Sequence, residues 1–330
     1  MKIGVAFPET ILTNDDLAKE YPNWDPQKAF ESTGVWARHI AKGELVSDLA
    51  IASALKLFEE NGADKSEIDF LLLCTQTPDY IEPATSCIIH EKLGLKKNCG
   101  ALDFSLGCSG FVYGLSLAKG LLVSDTATNV LFIASDISTK YVNRMDKANR
   151  VVLGDGAAAV LLDADDARNI GAFSLGTDGS GWDCLCIPAG GAAMPYSEET
   201  KIEATDFQGN TRSKENLFMD GTAVYFFAID TVPPLVAETL EKNELQIDDI
   251  DLFVFHQANK TILNNLREAI GIPEDKFYIN LTDKGNTSEA TIPIALSELE
   301  KSGRLRTGMR VLIAGFGVGL SWGCTILKWK

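Results

Sequence analysis

The feature that most constrains the fold is an internal repeat. The segment LKLFEENGADKSEIDFLLLC (residues 55–74) aligns without a gap with AETLEKNELQIDDIDLFVFH (237–256). Further along, NVLFIAS (129–135) resembles MRVLIAG (309–315) at nearly the same separation. An offset that stays at roughly 180 residues over separate segments indicates a duplication, because chance matches would not keep one spacing. The chain is therefore expected to contain two similar halves.

Each half alternates helical and strand patterns. The apolar residues of SDLAIASALKLFEENG recur at helical spacing. The run IDFLLLC that follows is continuously apolar, which is typical of a strand buried on both faces. We therefore predict an α/β protein whose halves, residues 1–165 and 166–330, pack sheet to sheet around shared buried helices. Residues 189–216 are polar and break the pattern, so they are predicted to form an inserted loop.

The composition limits the partners that the chain can take. Its net charge of −16 argues against nucleic acid or an anionic membrane as the main partner. The start MKIGVAFPET lacks the apolar core of a signal peptide, and the seven cysteines lack metal-ligand spacing. We expect a cytoplasmic protein with reduced thiols, no metal site and no insertion into a membrane. The basic segment NRMDKANR, with Arg144, Lys147 and Arg150, is the candidate contact for an anionic partner.

Three polar residues follow predicted strands at related places in the repeat. Cys108 follows ALDFSL and Asn286 follows YINL, each just before an apolar helix, and His256 ends DLFVFH. Ligands of α/β sheets bind beyond the carboxyl ends of the strands, so the three side chains are expected to converge. Each also has a structural interpretation, as a buried cysteine, a core histidine or a helix N-cap. For Asn286 the N-cap interpretation includes Glu289 as the capping-box partner.

Glycines surround the candidate nucleophile. Gly107 and Gly110 allow close backbone approach, and the N-terminus of the following helix favours a Cys108 thiolate. The segment GFGVGLSWG, after the strand RVLIA, can aim a bare backbone N–H at the same place. Together with the N–H of Cys108 it would form an oxyanion hole for an acyl-enzyme. The alternative for this segment is a simple bend between two strands of a hairpin.

Taken together, these segments resemble the thiolase-fold condensing enzymes, most closely the β-ketoacyl-acyl carrier protein synthase III group. The resemblance runs along nearly the whole chain and is carried by ESTGVWARHIA, LDFSLGCSGFVYGL, LGDGAAAVLL, FHQAN, KGNTSEATIPIAL and GFGVGLSWG. It implies two βαβαβαββ halves stacked as α-β-α-β-α layers, and a homodimer that works with acyl carrier protein. Ala314 stands where thiolases carry a second catalytic cysteine, so thiolase chemistry is not expected.

The resemblance also implies a mechanism. Cys108 would be acylated by an acyl thioester, with the carbonyl oxygen held by the backbone N–H groups of Cys108 and Val318. His256 and Asn286 would then stabilise the enolate formed by decarboxylation of a malonyl thioester, and this enolate would attack the acyl group. The expected substrates are acyl-coenzyme A or acyl-carrier protein and malonyl-carrier protein, with no tightly bound cofactor. Further candidate substrate contacts are Lys147, Arg150, Asn259, Phe316, Gly317 and Gly319.

Several positions depart from the pattern of the group. Lys28 and Ser32 stand where members that use acetyl-coenzyme A stack the adenine between a tryptophan and an arginine. Residues 260–261 (Lys-Thr) replace an arginine that helps to dock the carrier protein, and Ile81 or Glu82 replaces a partner-subunit phenylalanine that closes the acyl pocket. These differences argue against acetyl-coenzyme A as the acyl donor and favour a specialised pathway or a carrier-bound acyl donor.

Two other functions stay open on sequence alone. The chain could pass the acyl group of Cys108 to an alcohol or amine without decarboxylation, or act as a non-catalytic subunit that shapes the pocket of an active homologue. A papain-like hydrolase also uses Cys, His and Asn, but the repeat and the residues around Cys108 do not fit one. Release of carbon dioxide from a malonyl thioester and an acyl adduct on Cys108 distinguish these functions.

Overall fold

The computed structural model describes all 330 residues. The strands are β1 (Lys2–Ala6), β2 (Ile11–Thr13), β3 (Ala37–His39), β4 (Phe70–Cys74), β5 (Gly100–Phe104), β6 (Asn129–Asp136), β7 (Gly156–Asp163), β8 (Ser174–Thr177), β9 (Leu185–Cys186), β10 (Ala204–Thr205), β11 (Thr211–Arg212), β12 (Phe218–Met219), β13 (Leu252–Phe255), β14 (Arg310–Gly317) and β15 (Ser321–Lys328). They form two main sheets, in the orders β1-β7-β6-β4-β5 and β8-β15-β14-β13. The strand orders correspond, as a duplication requires.

The helices are α1 (Asn14–Glu20), α2 (Pro26–Thr33), α3 (Val46–Asn61), α4 (Thr85–Leu93), α5 (Gly110–Val123), α6 (Lys147–Arg150), α7 (Ala164–Asn169), α8 (Gly221–Lys242), α9 (Lys260–Ile270) and α10 (Thr291–Lys301). Helices α5 and α10 share one apolar core with the inner faces of both sheets. Helices α3 and α4 cover the outer face of the first sheet, and α8 and α9 cover the outer face of the second. This α-β-α-β-α layering confirms the predicted fold class.

The second half departs from the first at its fifth strand. In the first half, β5 pairs with β4 along five residues. In the second half, the corresponding segment after α9 forms only a single bridge to β13, between Phe253 and Phe277. The side chain of Gln257 takes the place of the missing ladder. Its Nε2 donates to the carbonyl oxygen of Tyr278 (3.3 Å), and its Oε1 accepts from the backbone N–H of Asn280 (2.6 Å). The backbone groups are thus paired without a strand.

Two further features of the fold are the 189–216 segment and helix α8. Residues 189–216 contain the β10–β11 hairpin, which contacts the first half where the backbone N–H of Thr211 donates to the carbonyl oxygen of Met145 (3.2 Å). Helix α8, with 22 residues, is the one helix long and apolar enough to cross a membrane by length and composition. Ala228, Val232 and Leu235 on α8 are buried in the second core, which accounts for much of its apolar character.

Candidate active site

One cavity contains all three residues that were predicted to converge from the carboxyl ends of strands, namely Cys108, His256 and Asn286. It has a volume of about 300 Å³, and Cys108, His256 and Asn286 are among its lining residues. Each lies just beyond a strand of the main sheets or beside the α10 turn, where the two halves meet. The structure therefore brings the three side chains into one site, while their chemical roles stay predictions.

Cys108 lies in the turn between β5 and α5. The helix begins two residues later, at Gly110, whose N–H donates to the carbonyl oxygen of Gly107 (2.6 Å). A strand of the second half passes directly over the thiol. A Cβ atom added at Gly317 would lie 2.6 Å from the Cys108 Sγ, a distance that atoms in contact do not reach. Glycine at this position is what lets β14 approach the nucleophile.

The protonation state of Cys108 differs from the sequence expectation. Burial by the surrounding protein raises the pKa of its thiol to about 12, and the Glu289 carboxyl acts in the same direction. The backbone N–H groups of Val318 and Cys108 lower the pKa, but their effect is smaller than that of burial. Cys108 is therefore a thiol rather than a preformed thiolate, because desolvation outweighs the helix N-terminus.

Val318 lies in the turn that joins β14 to β15. Its N–H group and that of Cys108 itself both lower the pKa of the Cys108 thiol, so both favour negative charge at this place. Groups that favour negative charge beside the sulfur are suited to stabilise the oxygen of a thioester whose carbonyl carbon has bonded to it. The two turns are also joined behind the thiol, where the Ser109 and Ser321 hydroxyls are 2.7 Å apart.

His256 continues the sheet one residue beyond β13, because its N–H donates to the carbonyl oxygen of Ala314 (2.7 Å). Its ring is buried, with the Phe316 ring packed edge-on at 5.9 Å. Burial lowers the pKa of His256 to about 3, so the imidazole is neutral at physiological pH. A neutral ring carries a proton on only one nitrogen. The hydrogen-bond partners of the two nitrogens therefore determine whether the nitrogen that faces the cavity is a donor.

Asn286 is held by backbone of the first half. Its N–H donates to the carbonyl oxygen of Val152 (2.8 Å), and its carbonyl oxygen accepts from the N–H of Gly154 (2.9 Å). Gly154 is required there, since an added Cβ would lie 2.2 Å from the Lys284 carbonyl oxygen. The side-chain Oδ1 accepts from the Ser288 N–H (2.9 Å), which leaves Nδ2 directed at the cavity, 3.4 Å from the His256 Nε2.

Thr291 holds the His256 ring through its hydroxyl. The Thr291 Oγ1 lies 2.8 Å from the His256 Nδ1 and 2.9 Å from the Ser288 carbonyl oxygen, and it has only one proton to donate. A hydroxyl that donates to the Ser288 carbonyl oxygen accepts from a protonated Nδ1, whereas one that donates to Nδ1 leaves the ring proton on Nε2, where it can be donated into the cavity. Thr291 was not selected from the sequence, although it lies five residues after Asn286 on the same turn.

The structure does not contain the capping box that was the alternative interpretation of Asn286. A short 3₁₀ turn, Ser288–Ala290, precedes α10, which begins only at Thr291. The Glu289 side chain does not return to the backbone N–H of Asn286 but is fully buried between the two halves. The cause is packing, since the turn enters the interior directly and leaves the carboxyl no path back to the helix start.

The further candidate substrate contacts divide into two groups. Asn259, Phe316 and Gly317 line the cavity, and Asn259 also caps α9 by accepting the Ile262 N–H (2.9 Å). The residues that do not line the cavity are Lys147, Arg150 and Gly319. Arg150 does not reach the cavity because its guanidinium is paired with Glu20 (2.8 Å) and also donates to the Tyr21 hydroxyl.

The walls of the cavity were largely missed by sequence reasoning. One wall is polar and contains Gln76, Thr77 and Ser138 from the ends of β4 and β6, and the strand-end rule would have selected them had it been applied to every strand. The opposite wall is apolar and comes from residues that flank the 189–216 segment. Its members are Leu185, Ile187, Leu217, Met219 and Val224.

Comparisons with known proteins agree with this geometry. Residues 102–179 match the family model described as 3-Oxoacyl-[acyl-carrier-protein (ACP)] synthase III, and residues 240–329 match its C-terminal counterpart. The chain is 36% identical to the Beta-ketoacyl-[acyl-carrier-protein] synthase III of Clostridium acetobutylicum, over 99% of this chain and 97% of the relative. It is 37% identical to the enzyme of the same description from Caldanaerobacter subterraneus, over 99% and 96%.

Solved structures lead to the same group. A crystal structure of a 3-oxoacyl-(acyl-carrier-protein) synthase III superposes with a TM-score of 0.97 at 41% identity, and covers 99% of this chain and 98% of the other. Similarity of this extent includes both halves, and is not confined to the segments around the cavity.

Proposed function

Because the chain belongs to the 3-oxoacyl-[acyl-carrier-protein] synthase III family of condensing acyltransferases, we propose that Cys108 carries the acyl group and that His256 and Asn286 serve the decarboxylative condensation. One observation carries this assignment. The three side chains line a single cavity, in which the Asn286 Nδ2 and the His256 Nε2 are 3.4 Å apart. One substrate oxygen between these two nitrogens would be within reach of both.

In the first half-reaction the Cys108 Sγ attacks the carbonyl carbon of an acyl thioester. The new S–C bond forms as the bond to the donor sulfur breaks, and the N–H groups of Cys108 and Val318 hold the oxygen in the tetrahedral state. The Cys108 pKa of about 12 means that the thiol still carries its proton when the donor arrives. Over the half-reaction that proton passes to the departing donor sulfur, which leaves as a free thiol.

In the second half-reaction a malonyl thioester occupies the cavity beside the acyl-cysteine. Its thioester oxygen accepts from the Asn286 Nδ2 and from the His256 Nε2, in the tautomer that carries the ring proton on Nε2. The bond to the carboxylate breaks, carbon dioxide leaves, and the electron pair remains as an enolate held by these donors. The enolate carbon attacks the acyl carbonyl, and the Cys108 sulfur leaves as the β-ketoacyl thioester forms.

We assign the donor to a carrier-bound thioester. The surface of α2, which holds Lys28 and Ser32, is exposed and offers no aromatic ring at either position for an adenine. The exposed Lys260 follows the cavity-lining Asn259 and supplies a positive contact for an acidic carrier protein. No tightly bound cofactor is needed, because both half-reactions use only thioester and carboxylate chemistry. A cytoplasmic location follows from this dependence on carrier-bound thioesters.

We also propose a homodimer. The first sheet ends in β5, whose outer edge has no strand partner, and Leu102 on this strand is 40% exposed. Nearby in the chain, Tyr80 and Ile81 are 58% and 95% exposed. An open edge with large apolar side chains favours pairing with a second copy. Sedimentation analysis should show a dimer, and Leu102→Glu should convert it to a monomer.

The experiment that tests the assignment follows the two half-reactions separately. Intact mass spectrometry after incubation with acyl-carrier protein should show one acyl group on the wild type and none on Cys108→Ala. Addition of malonyl-carrier protein should then release carbon dioxide and discharge the adduct. An ester or amide product without carbon dioxide would instead show transfer to an alcohol or amine. Absence of any adduct with every donor would identify a non-catalytic subunit.

A further inference from the structure

Two unusual residues stand side by side in the turn between Asn286 and Thr291. Ser288 has a φ of 54°, in the left-handed region that residues with side chains rarely adopt. Glu289 is 0% exposed, and neither of its carboxyl oxygens accepts a hydrogen bond from a donor group. A buried carboxyl without donors is unfavourable in its charged form. Features of this kind concentrate where function requires them.

The turn packs against β6, and Asp136 at the end of that strand is close enough to raise the pKa of Glu289. This carboxylate is buried and is well supplied with donors. Its Oδ1 accepts from the Thr75 hydroxyl (3.0 Å), the Gln76 N–H (2.8 Å) and the Thr77 hydroxyl (2.8 Å). Gln76 and Thr77 line the cavity, so Asp136 holds the polar wall from behind.

The two carboxyls share one negative charge. Burial raises the pKa of Glu289 well above its usual range, and Asp136 adds to this rise. Burial also raises the pKa of Asp136, but its donors and the Glu289 carboxyl oppose that shift. Two adjacent buried carboxyls cannot both be ionised, so the proton resides on Glu289 and the charge on Asp136.

A neutral Glu289 is also what the nucleophile requires. The other titratable groups facing it are the Cys74 and Cys108 thiols, and an ionised Glu289 carboxylate would raise the pKa values of both. The Glu289 Cβ lies close to the start of α5, where a Cβ atom added at Gly110 would be 3.3 Å from it. A negative charge there would compete with the Cys108 thiolate for the helix N-terminus.

We propose that Glu289 is a positioning residue for the condensation step: its neutral carboxyl, docked on Asp136, fixes the turn that presents Asn286 and orients His256 through Thr291. The contact also joins the second half to the wall of the cavity that Asp136 holds in the first half. Glu289 itself does not line the cavity and touches no reacting atom. This inference rests on the proposed function, because it assigns Glu289 to the half-reaction that uses Asn286 and His256.

The test compares Glu289→Leu, which removes the polar group, with Glu289→Gln, which keeps its length and its ability to donate to Asp136. The matched control is Glu300→Leu on α10, where an exposed glutamate bonds only to the Trp329 indole (3.1 Å). For each variant one measures the rate of Cys108 acylation, kcat and KM for malonyl thioester decarboxylation, and the melting temperature.

We expect Glu289→Leu to lower kcat at least ten-fold with KM and acylation within three-fold of wild type and a melting temperature that is not reduced. Glu289→Gln and Glu300→Leu should keep kcat within three-fold. A folded Glu289→Leu variant that decarboxylates at the wild-type rate would overturn the proposal, as would an equal loss of acylation and decarboxylation. If wild type itself neither acylates nor decarboxylates, the proposed function fails instead.

Should Glu289→Leu not fold, infrared difference spectroscopy between wild type and Glu289→Gln decides the matter. The wild type should show the carbonyl band of a protonated carboxyl that is absent from Glu289→Gln, while the kcat of that variant stays within three-fold of wild type. Absence of the band, or a kcat in Glu289→Gln reduced ten-fold or more, would overturn the proposal.

Discussion

Gly317→Ala is the substitution whose effect on the nucleophile can be worked out most directly. The added methyl group would lie 2.6 Å from the Cys108 Sγ and 2.7 Å from its Cβ. Ordinary contacts between such atoms need about 3.5–4 Å. The thiol, the β14 backbone or both must therefore move by about 1 Å. Since Val318 follows Gly317 directly, its N–H moves with the strand.

The magnitude follows from the loss of one donor. Removal of a single oxyanion-hole hydrogen bond typically lowers the rate by 10²–10³, or about 2.7–4 kcal/mol in the barrier. We therefore expect the acylation rate of Cys108 in Gly317→Ala to fall by about 10²-fold. Decarboxylation of a malonyl thioester, which uses His256 and Asn286, should change much less, because neither side chain contacts the added methyl group.

The assay is the rate of acyl addition to Cys108, followed by intact mass spectrometry. The matched control is Gly120→Ala on α5, where an added Cβ meets nothing within 4 Å. Alanine in a helix interior should stabilise this control by about 0.5–1 kcal/mol without a change in acylation. A folded Gly317→Ala variant that is acylated within three-fold of wild type would refute the reasoning.

Three further predictions concern protonation. Thr291→Val removes the hydroxyl that is bonded to the His256 Nδ1 and should lower malonyl decarboxylation about ten-fold while sparing acylation, as a half-reaction assay would show; equal rates would argue against a role of this hydroxyl in orienting His256. Because the His256 pKa is about 3 when folded and 6.5 when unfolded, the unfolded chain binds an extra proton between these values. Acidification from pH 7 to pH 5 should thus cost about 2 kcal/mol of stability that His256→Asn does not lose, and identical pH profiles would contradict this. With its pKa of about 12, Cys108 should react slowly with iodoacetamide at neutral pH and faster up to about pH 11; a plateau below pH 8 would exclude this state.

The fold could be predicted from the sequence because both halves repeat the same helical and strand periodicities. These periodicities reflect local hydrogen bonding and the burial of apolar residues. The helical and strand periods of residues 55–74 and 237–256 recur as the α3–β4 and α8–β13 units. The strand-end rule then brought Cys108, His256 and Asn286 to one cavity. Both inferences depend on backbone hydrogen bonding and apolar burial, which are readable from short segments.

Details decided by packing between distant segments could not be read in this way. Glu289 has the spacing of a capping box, but the interior in which its turn lies prevents the return contact. Gln257 replaces a strand ladder through two bonds of its amide, a substitution that no periodicity signals. The sequence suggests that Arg150 is available to bind an anionic partner. In the fold it is paired with Glu20, which is distant in the sequence.

The central claim is that acyl transfer and condensation use different members of one site, and Asn286→Ala tests it most directly. When this variant is mixed with acyl-carrier protein and malonyl-carrier protein, intact mass spectrometry should show acyl-Cys108 accumulating to one equivalent, with little carbon dioxide released. An Asn286→Ala protein that releases carbon dioxide at the wild-type rate, or that forms no adduct while wild type does, would contradict the account.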